Sequence, residues 1–238
     1  MPSDTPPKGV VPLPRFTELP AGSFLWHVTH GSASGPGTPF RTLDPSERDP
    51  AVVGRFGPTP ECPYPYCYAA LDDLTAISEV LLRNVGFGGP QRYLPAHDIV
   101  GRRLALLETR APLWLVSLTD AAELAAACQD AWLIHAESVD YRVTQRWAHW
   151  LRDSSAPDGH GPAGLVWQSR RRPGGHAVLL FGDRCGDVVT WSGFQARSLD
   201  DDAGLDWLNL RLALLRTRVR RPSPALETTG AAGSGTAG

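Results

Sequence analysis

The segment YCYAALDDLTAISEVLL, residues 66–82, decides the fold because it joins a strand directly to a helix. Its first four residues, Tyr66-Cys67-Tyr68-Ala69, predict the strand. Asp72 suits the N-cap of the helix, since its carboxylate can accept hydrogen bonds from backbone N–H groups of the first turn. The apolar residues behind it recur at the spacing of one helical face, which predicts a helix packed on a core. They are Leu74, Ile77, Leu81 and Leu82.

Strands and helices are predicted on both sides of this segment without regular alternation. Apolar runs predict strands at 24–28, 100–107, 113–118, 164–168 and 177–181. Helical periodicity predicts helices at 124–131, 141–151 and 201–221. The last of these begins acidic and ends basic, which complements the helix dipole. The irregular order favours an α+β fold in one compact domain over a doubly wound sheet.

The two ends of the chain differ in composition from its middle. The chain has 238 residues, which allow one large domain or two small ones. Residues 1–20 carry six prolines and predict an extended, mobile and disordered arm. Residues 222–238 end in TTGAAGSGTAG and predict a disordered tail. We therefore expect one domain over 21–221, with a long functional loop at 31–65.

Charge and hydropathy exclude several classes of protein. The formal net charge is −2, which argues against broad electrostatic binding to nucleic acid or to anionic membranes. No apolar run reaches the roughly 18 residues of a membrane span, and the first residues lack the apolar core of a secretory signal. Four cysteines fit a reducing compartment better than a disulfide scaffold. The sequence therefore predicts a cytoplasmic protein.

Several common catalytic motifs are missing from the sequence. It contains no phosphate loop of the G-x-x-x-x-G-K-[ST] type, no G-x-S-x-G and no H-E-x-x-H. The stretch GFGG at 86–89 lacks the third glycine of a Rossmann fingerprint. Cys62 and Cys67 have no second Cys or His pair at zinc spacing. We therefore expect no metal site.

Four short motifs remain, and each has an ordinary explanation when it is taken alone. They are G-R-F at 54–56, Y-A-A at 68–70, A-x-x-E-V at 76–80 and S-R at 169–170. Glu79 would be a solvated carboxylate on a helix, and Tyr68 would be a core residue of an apolar strand. Arg55 would be a loop cation, and Ser169 would be a turn residue.

Taken together and in this order, the motifs resemble the RES domain family, the NAD-consuming toxins of bacterial toxin–antitoxin pairs. The separation of Tyr68 and Glu79 is similar to that of the family's Tyr and Glu. Residues 140–148 (DYRVTQRWA) resemble its late helix, and 179–181 (LLF) resemble its closing strand. The resemblance implies a compact α+β fold akin to that of ADP-ribosyltransferase toxins. It also implies cleavage of the nicotinamide–ribose bond of NAD by water or inorganic phosphate.

The resemblance also implies which molecules this protein meets. NAD would be a substrate, no resident cofactor is expected, and inorganic phosphate would be a co-substrate. Toxins of this family are usually held inactive by a small antitoxin, often a helix-turn-helix protein, that blocks the NAD pocket. Residues 182–221 have no counterpart in this resemblance.

The residue types at the motifs suit this chemistry. Loss of nicotinamide passes through an oxocarbenium-like ribosyl centre, which the carboxylate of Glu79 can stabilise while it holds a ribose hydroxyl. The face of Tyr68 can stack on the flat nicotinamide cation. Arg55 as the first choice, and Arg170 as the second, can bind the pyrophosphate through bidentate hydrogen bonds. Ser169 can hydrogen-bond the ribose or the amide.

The first predicted strand departs from the family, which usually carries an arginine where this chain has His27. A neutral imidazole cannot replace a bidentate guanidinium on a phosphate, but it can hold a ribose hydroxyl. His27, Tyr68 and Glu79 resemble, in type and order, the His, Tyr and Glu of diphtheria-like ADP-ribosyltransferases. Strand alternation then predicts that His27 faces the cleft while Trp26 and Val28 face the core. An ordinary strand histidine is the alternative.

Two other functions stay open at this point. ADP-ribosyl transfer to a macromolecule would use the same site and would differ only in what attacks the ribosyl centre. A catalytically silenced RES-like binding module is the second, with the absent first-strand arginine as the cause of its silence.

Overall fold

The computed structural model describes residues 4–31 and 37–220, which form a mixed α+β fold as predicted. The strands in these ranges are β1 (Phe16–Leu19), β2 (Phe24–His30), β3 (Tyr66–Ala70), β4 (Arg92–Pro95), β5 (Arg102–Thr109), β6 (Leu113–Leu118), β7 (Gly164–Gln168), β8 (His176–Phe181), β9 (Val189–Trp191), β10 (Arg197–Ser198) and β11 (Thr217–Arg220). The α-helices are α1 (Pro50–Val53), α2 (Asp73–Leu81), α3 (Ala121–Ala126), α4 (Trp132–His135), α5 (Tyr141–Arg152), α6 (Gly182–Cys185) and α7 (Asp202–Ala213). Short 3-10 turns lie at Ala96–Asp98 and Ser138–Asp140.

The main sheet is split near its centre. Its strand order is β1-β6-β7-β8-β3-β2-β5-β10, with β9 also paired to β5. Neighbouring strands run antiparallel except β6 and β7, and β4 and β11 form a separate parallel pair. The central strands β2 and β3 pair only at Trp26 and Ala70. Beyond that contact they diverge, and α2 packs on both strands beside the split.

Alternate residues of β3 enter different cores, as the period of a strand requires. Tyr66 and Tyr68 face the core that contains Trp147 of α5 and Trp167 of β7. Cys67 and Ala69 face a second core on the other side of the sheet. Helix α5 is therefore fastened to the same sheet face as Tyr68.

The N-terminal segment is more ordered than its prolines suggest. The prediction of a mobile arm over 1–20 is wrong for Phe16–Leu19, which pairs with β6 as an edge strand. Before it, the Arg146 guanidinium donates to the Asp4 carbonyl and the Trp150 indole to the Val10 carbonyl, both at 3.1 Å. Side chains of α5 thus tie down this segment. The predicted tail at 222–238 lies outside the described residues.

The predicted helix at 201–221 is shorter in the structure. Asp201 caps it as the N-cap of α7, accepting from the Gly204 N–H at 2.7 Å. Helix α7 ends at Ala213, and the chain turns through Arg216, whose φ is 48°, into β11. The basic residues expected at the helix end therefore lie beyond it. Arg218 and Arg220 lie in β11, because β4, far away in the chain, supplies a pairing partner.

The long loop at 31–65 carries α1 and then the G-R-F motif, which forms one wall of the candidate site. Its residues 32–36 lie outside the described part of the chain. Across the ranges 4–31 and 37–220, no helix is both long and apolar enough to cross a membrane.

Candidate active site

Glu79 lies in the last turn of α2, and a buried serine holds it. The Ser169 hydroxyl donates to Glu79 Oε1 at 2.6 Å. The same oxygen accepts from the backbone N–H groups of Arg171 at 3.2 Å and Arg172 at 3.0 Å. Because both lone pairs of the hydroxyl are engaged, its proton is directed at the carboxylate. Ser169 thus orients Glu79, and its hydrogen bond to the ribose or the amide of a substrate stays a prediction.

The start of α2 is tied to the same loop. Asp72 caps the helix as predicted, accepting from the Thr75 N–H at 2.9 Å and the Thr75 hydroxyl at 2.7 Å. The Arg172 guanidinium donates to Asp72 Oδ2 at 3.1 Å and to Thr75 Oγ1 at 3.0 Å. Helix α2 and the turn after β7 therefore form one hydrogen-bonded unit that carries both Glu79 and Ser169.

Tyr68 lies beneath the G-R-F loop. Its hydroxyl accepts from the Phe56 N–H at 3.0 Å. Its ring makes edge-to-face contacts with Tyr66 and Trp167, at centroid distances of 6.0 Å and 6.2 Å. Burial raises the pKa of the Tyr68 phenol well above its ordinary value. Tyr68 is therefore a neutral group whose hydroxyl proton stays available to a ligand.

Helix α5 holds the G-R-F loop in place. The Thr144 hydroxyl donates to the Arg55 carbonyl, and the Gln145 amide donates to the Gly54 carbonyl at 3.0 Å. The Arg55 side chain is buried, and its Nη2 donates to the Ala136 carbonyl at 3.3 Å. Its Nε has no hydrogen-bond partner within the described ranges. Arg55 thus keeps donor capacity for an anionic ligand.

Arg170 is committed to the protein itself. It donates to the His135 carbonyl at 2.9 Å and forms an ion pair with Glu137. The hydrogen bond to Glu137 raises the pKa of Arg170. Its predicted contact with a pyrophosphate would have to displace this carboxylate, so Arg55 is the better placed of the two predicted cations.

The orientation predicted for the first strand is wrong. Trp26 and Val28 line the Glu79 cavity, and His27 points away from it. His27 Nδ1 lies 2.6 Å from the Tyr68 carbonyl oxygen, and burial lowers the pKa of the imidazole. In the split between β2 and β3, the imidazole satisfies a carbonyl that a closed sheet would pair with backbone N–H. His27, Tyr68 and Glu79 therefore do not converge on one pocket.

Two adjoining cavities lie along the split. The Glu79 cavity has a volume of about 50 Å³ and is lined mainly by apolar side chains, and four of its lining side chains are aromatic. These are Trp26, Tyr68, Tyr141 and Trp167. The neighbouring groove of about 1120 Å³ includes His27, whose part in substrate binding stays a prediction. Small-molecule sites typically measure about 300–1,000 Å³, so the groove has the larger share of the space a dinucleotide needs.

Two arginines that the sequence motifs did not indicate also lie at the candidate site. Arg83 and Arg171 join Arg55, Arg170 and Glu79 around a small polar cavity beside the aromatic one. Arg83 follows Glu79 by four residues, a helical spacing that could have signalled it. Within residues 4–31 and 37–220, no three His, Cys, Asp or Glu side chains gather as metal ligands would.

The G-R-F loop depends on a glycine at its first position. Gly54 has φ of 96°, and a Cβ built there would lie 2.8 Å from the Tyr68 hydroxyl oxygen. Gly54→Ala is expected to lower the free energy of unfolding by about 2–4 kcal/mol, the sum of backbone strain and a steric clash. Urea denaturation measures this loss.

Gly22→Ala is the matched control for that substitution. Gly22 also has a positive φ, 77°, but no atom lies within 4 Å of its built Cβ. It should therefore show the backbone strain alone, about 1–2 kcal/mol. Equal losses in the two variants would contradict the contact between Gly54 and Tyr68.

The split sheet and the Glu79–Ser169 pair define an α+β protein with a candidate active site between its central strands. The family model described as RES domain matches residues 24–202, and the chain belongs to this family. The predicted family is thereby confirmed.

No curated protein matches the sequence. Among solved structures, the chain is similar to one in the crystal structure of the M. tuberculosis MbcT–MbcA toxin–antitoxin complex. The match has 13% identity and a TM-score of 0.43, and it covers 75% of this chain and 85% of that chain.

Proposed function

We propose that this protein is the toxin of a toxin–antitoxin pair and that it cleaves the nicotinamide–ribose bond of NAD. The observation that carries the proposal is the carboxylate of Glu79, which Ser169 holds at the wall of an aromatic cavity. Membership of the RES domain family supports NAD as the substrate. We place the activity in the cytoplasm, as the composition predicts.

In the proposed reaction, the bond between ribose C1′ and the nicotinamide nitrogen breaks. Its electron pair stays with the nitrogen, so nicotinamide leaves uncharged and positive charge develops on the ribosyl centre. Glu79 stabilises this charge and holds a ribose hydroxyl. An oxygen of water or of inorganic phosphate then bonds to C1′, and the proton of an attacking water passes to solvent.

The other site residues bind and orient the substrate. The neutral Tyr68 hydroxyl can donate to the substrate, and its ring lies in the aromatic wall on which the flat nicotinamide cation would rest. The buried Arg55 guanidinium offers donors to the pyrophosphate. Ser169 fixes the carboxylate, so less reorganisation is needed as charge develops.

The test is the loss of NAD on incubation with the purified protein, in buffers with and without inorganic phosphate. Release of nicotinamide supports the proposal, and dependence on phosphate identifies the acceptor. Transfer of label from NAD to protein or nucleic acid would instead indicate ADP-ribosyl transfer.

A folded protein that consumes no NAD would be the silenced binding module. The turned-away His27 and the narrow Glu79 cavity are the observations that favour this second candidate.

Production of this protein alone is expected to deplete cellular NAD and stop growth of the host. We propose that a small antitoxin, of the helix-turn-helix type, normally blocks the cavity. Growth should therefore recover when the antitoxin is produced with it, and NAD content measured in cell extracts should return to normal. Unimpaired growth with normal NAD content would contradict the role as a toxin.

A further inference from the structure

Arg83 lies where three cavities meet. It follows the C-terminal end of α2 and lines the Glu79 cavity, the large groove and the polar cavity beside Arg170. Among the described residues, it is the only one that lines all three. Arg55 lines the first and the last of them but not the large groove. The Glu79 cavity and the groove share Val28, Tyr68, Val80 and Arg83, so Arg83 is the charged side chain at their junction.

Arg83 is not held in an ion pair with any carboxylate of the described residues. Its Nη1 donates to the Ala51 carbonyl at 3.1 Å, and over residues 4–31 and 37–220 it forms no ion pair within 4 Å. Arg170 and Arg172 differ, because they are paired with Glu137 and Asp72. Arg83 therefore resembles Arg55 in keeping a charge available for an anion.

The position of Arg83 is set by contacts on both sides. Its own carbonyl accepts from the Arg171 guanidinium, and its side chain is anchored on α1 through Ala51. Its positive charge is close enough to Tyr68 to oppose the effect of burial on the pKa of that phenol. Arg83, Tyr68 and Glu79 thus face a common space.

Resting on the proposed function, we propose that Arg83 binds the adenosine-side phosphate of NAD while Arg55 binds the nicotinamide-side phosphate. The aromatic Glu79 cavity takes the nicotinamide end, and only the groove has room for the adenosine end. The pyrophosphate joins the two ends, so it spans the junction that Arg83 lines. Two unpaired guanidiniums match its two phosphates. Arg83 thereby makes the site selective for the dinucleotide over nicotinamide mononucleotide.

The test compares NAD with nicotinamide mononucleotide, which lacks the adenosine-side phosphate. Arg83→Gln is expected to lower kcat/KM for NAD about tenfold, mainly through KM, and to change the value for the mononucleotide less than about twofold. Arg218→Gln, an exposed arginine of β11, is the matched control and should change neither. An equal loss on both substrates would overturn the assignment.

Binding of ADP-ribose, measured by calorimetry, keeps this test separate from catalysis. Its affinity should fall about tenfold in Arg83→Gln, even if the wild-type protein turns over no NAD. Absent turnover would refute the proposed function alone, and unchanged ADP-ribose affinity would refute the role of Arg83 alone. If Arg83→Gln does not fold, Arg83→Lys replaces it. Lysine keeps the charge but not the bidentate geometry, so a smaller loss in the same direction is expected.

Discussion

Replacement of Glu79 by Gln is expected to reduce NAD turnover about 100-fold or more and to leave the fold intact. The substitution keeps the shape of the side chain, and its amide oxygen can still accept from the Ser169 hydroxyl, which now lies 2.6 Å from Glu79 Oε1. Only the negative charge is lost. Because that charge acts mainly on the developing positive ribosyl centre, kcat should fall far more than affinity for NAD.

Nicotinamide release at saturating NAD measures the loss, and near-UV circular dichroism with thermal denaturation checks the fold. Glu137→Gln is the matched control, because Glu137 lines the same polar cavity and its side chain is 60% exposed. Its ion pair with Arg170 is a surface contact of about 0–1 kcal/mol, so turnover should change little. A folded Glu79→Gln protein with wild-type turnover would remove Glu79 from the mechanism.

Elements buried on both faces of the sheet were predicted best. The strands at 113–118 and 164–168 match β6 and β7 residue for residue. Their apolar runs are nearly continuous because packing covers both sides. Asp72 was predicted as an N-cap because the capping hydrogen bond is local, and the structure contains it.

Elements that depend on a distant partner were missed. Strand β1 lies in a proline-rich segment and forms because β6 offers it an edge. Strand β11 carries alternating arginines that the sequence assigned to the preceding helix, and only its pairing with β4 makes it a strand. Local propensity does not encode such pairings, because they depend on tertiary contacts.

In the candidate site too, the sequence indicated individual residues but not the contacts between distant parts of the chain. The motifs indicated Glu79 and Ser169, but their contact across the fold emerges only when α2 meets the turn after β7. Alternation correctly predicted that Trp26 and His27 face opposite sides of β2. Which side faces the cavity depends on how β2 diverges from β3 and on the packing of α2, so the prediction that Trp26 faces the core was wrong.

Arg55→Ala is expected to weaken NAD binding about 10- to 100-fold while kcat falls much less. Hydrogen bonds to charged groups contribute about 1.5–3 kcal/mol, and the contact with pyrophosphate forms in the ground state and persists in the transition state. Arg55 forms no ion pair within 4 Å in the described ranges, so its removal leaves no buried carboxylate without its partner. Calorimetric titration with ADP-ribose, together with KM and kcat for NAD, measures both parts of the effect.

Arg170→Ala separates this role from a general loss of positive charge. Both arginines line the polar cavity, but Arg170 is already paired with Glu137 and donates to the His135 carbonyl. Its removal should therefore weaken NAD binding less than about threefold, in line with the small contribution of an exposed ion pair. If Arg170→Ala costs as much affinity as Arg55→Ala, the pyrophosphate lies on the other side of the cavity. If Arg55→Ala keeps its affinity and loses its maximal rate, Arg55 acts on the reacting centre, and the assignment of the phosphates to Arg55 and Arg83 has to be abandoned.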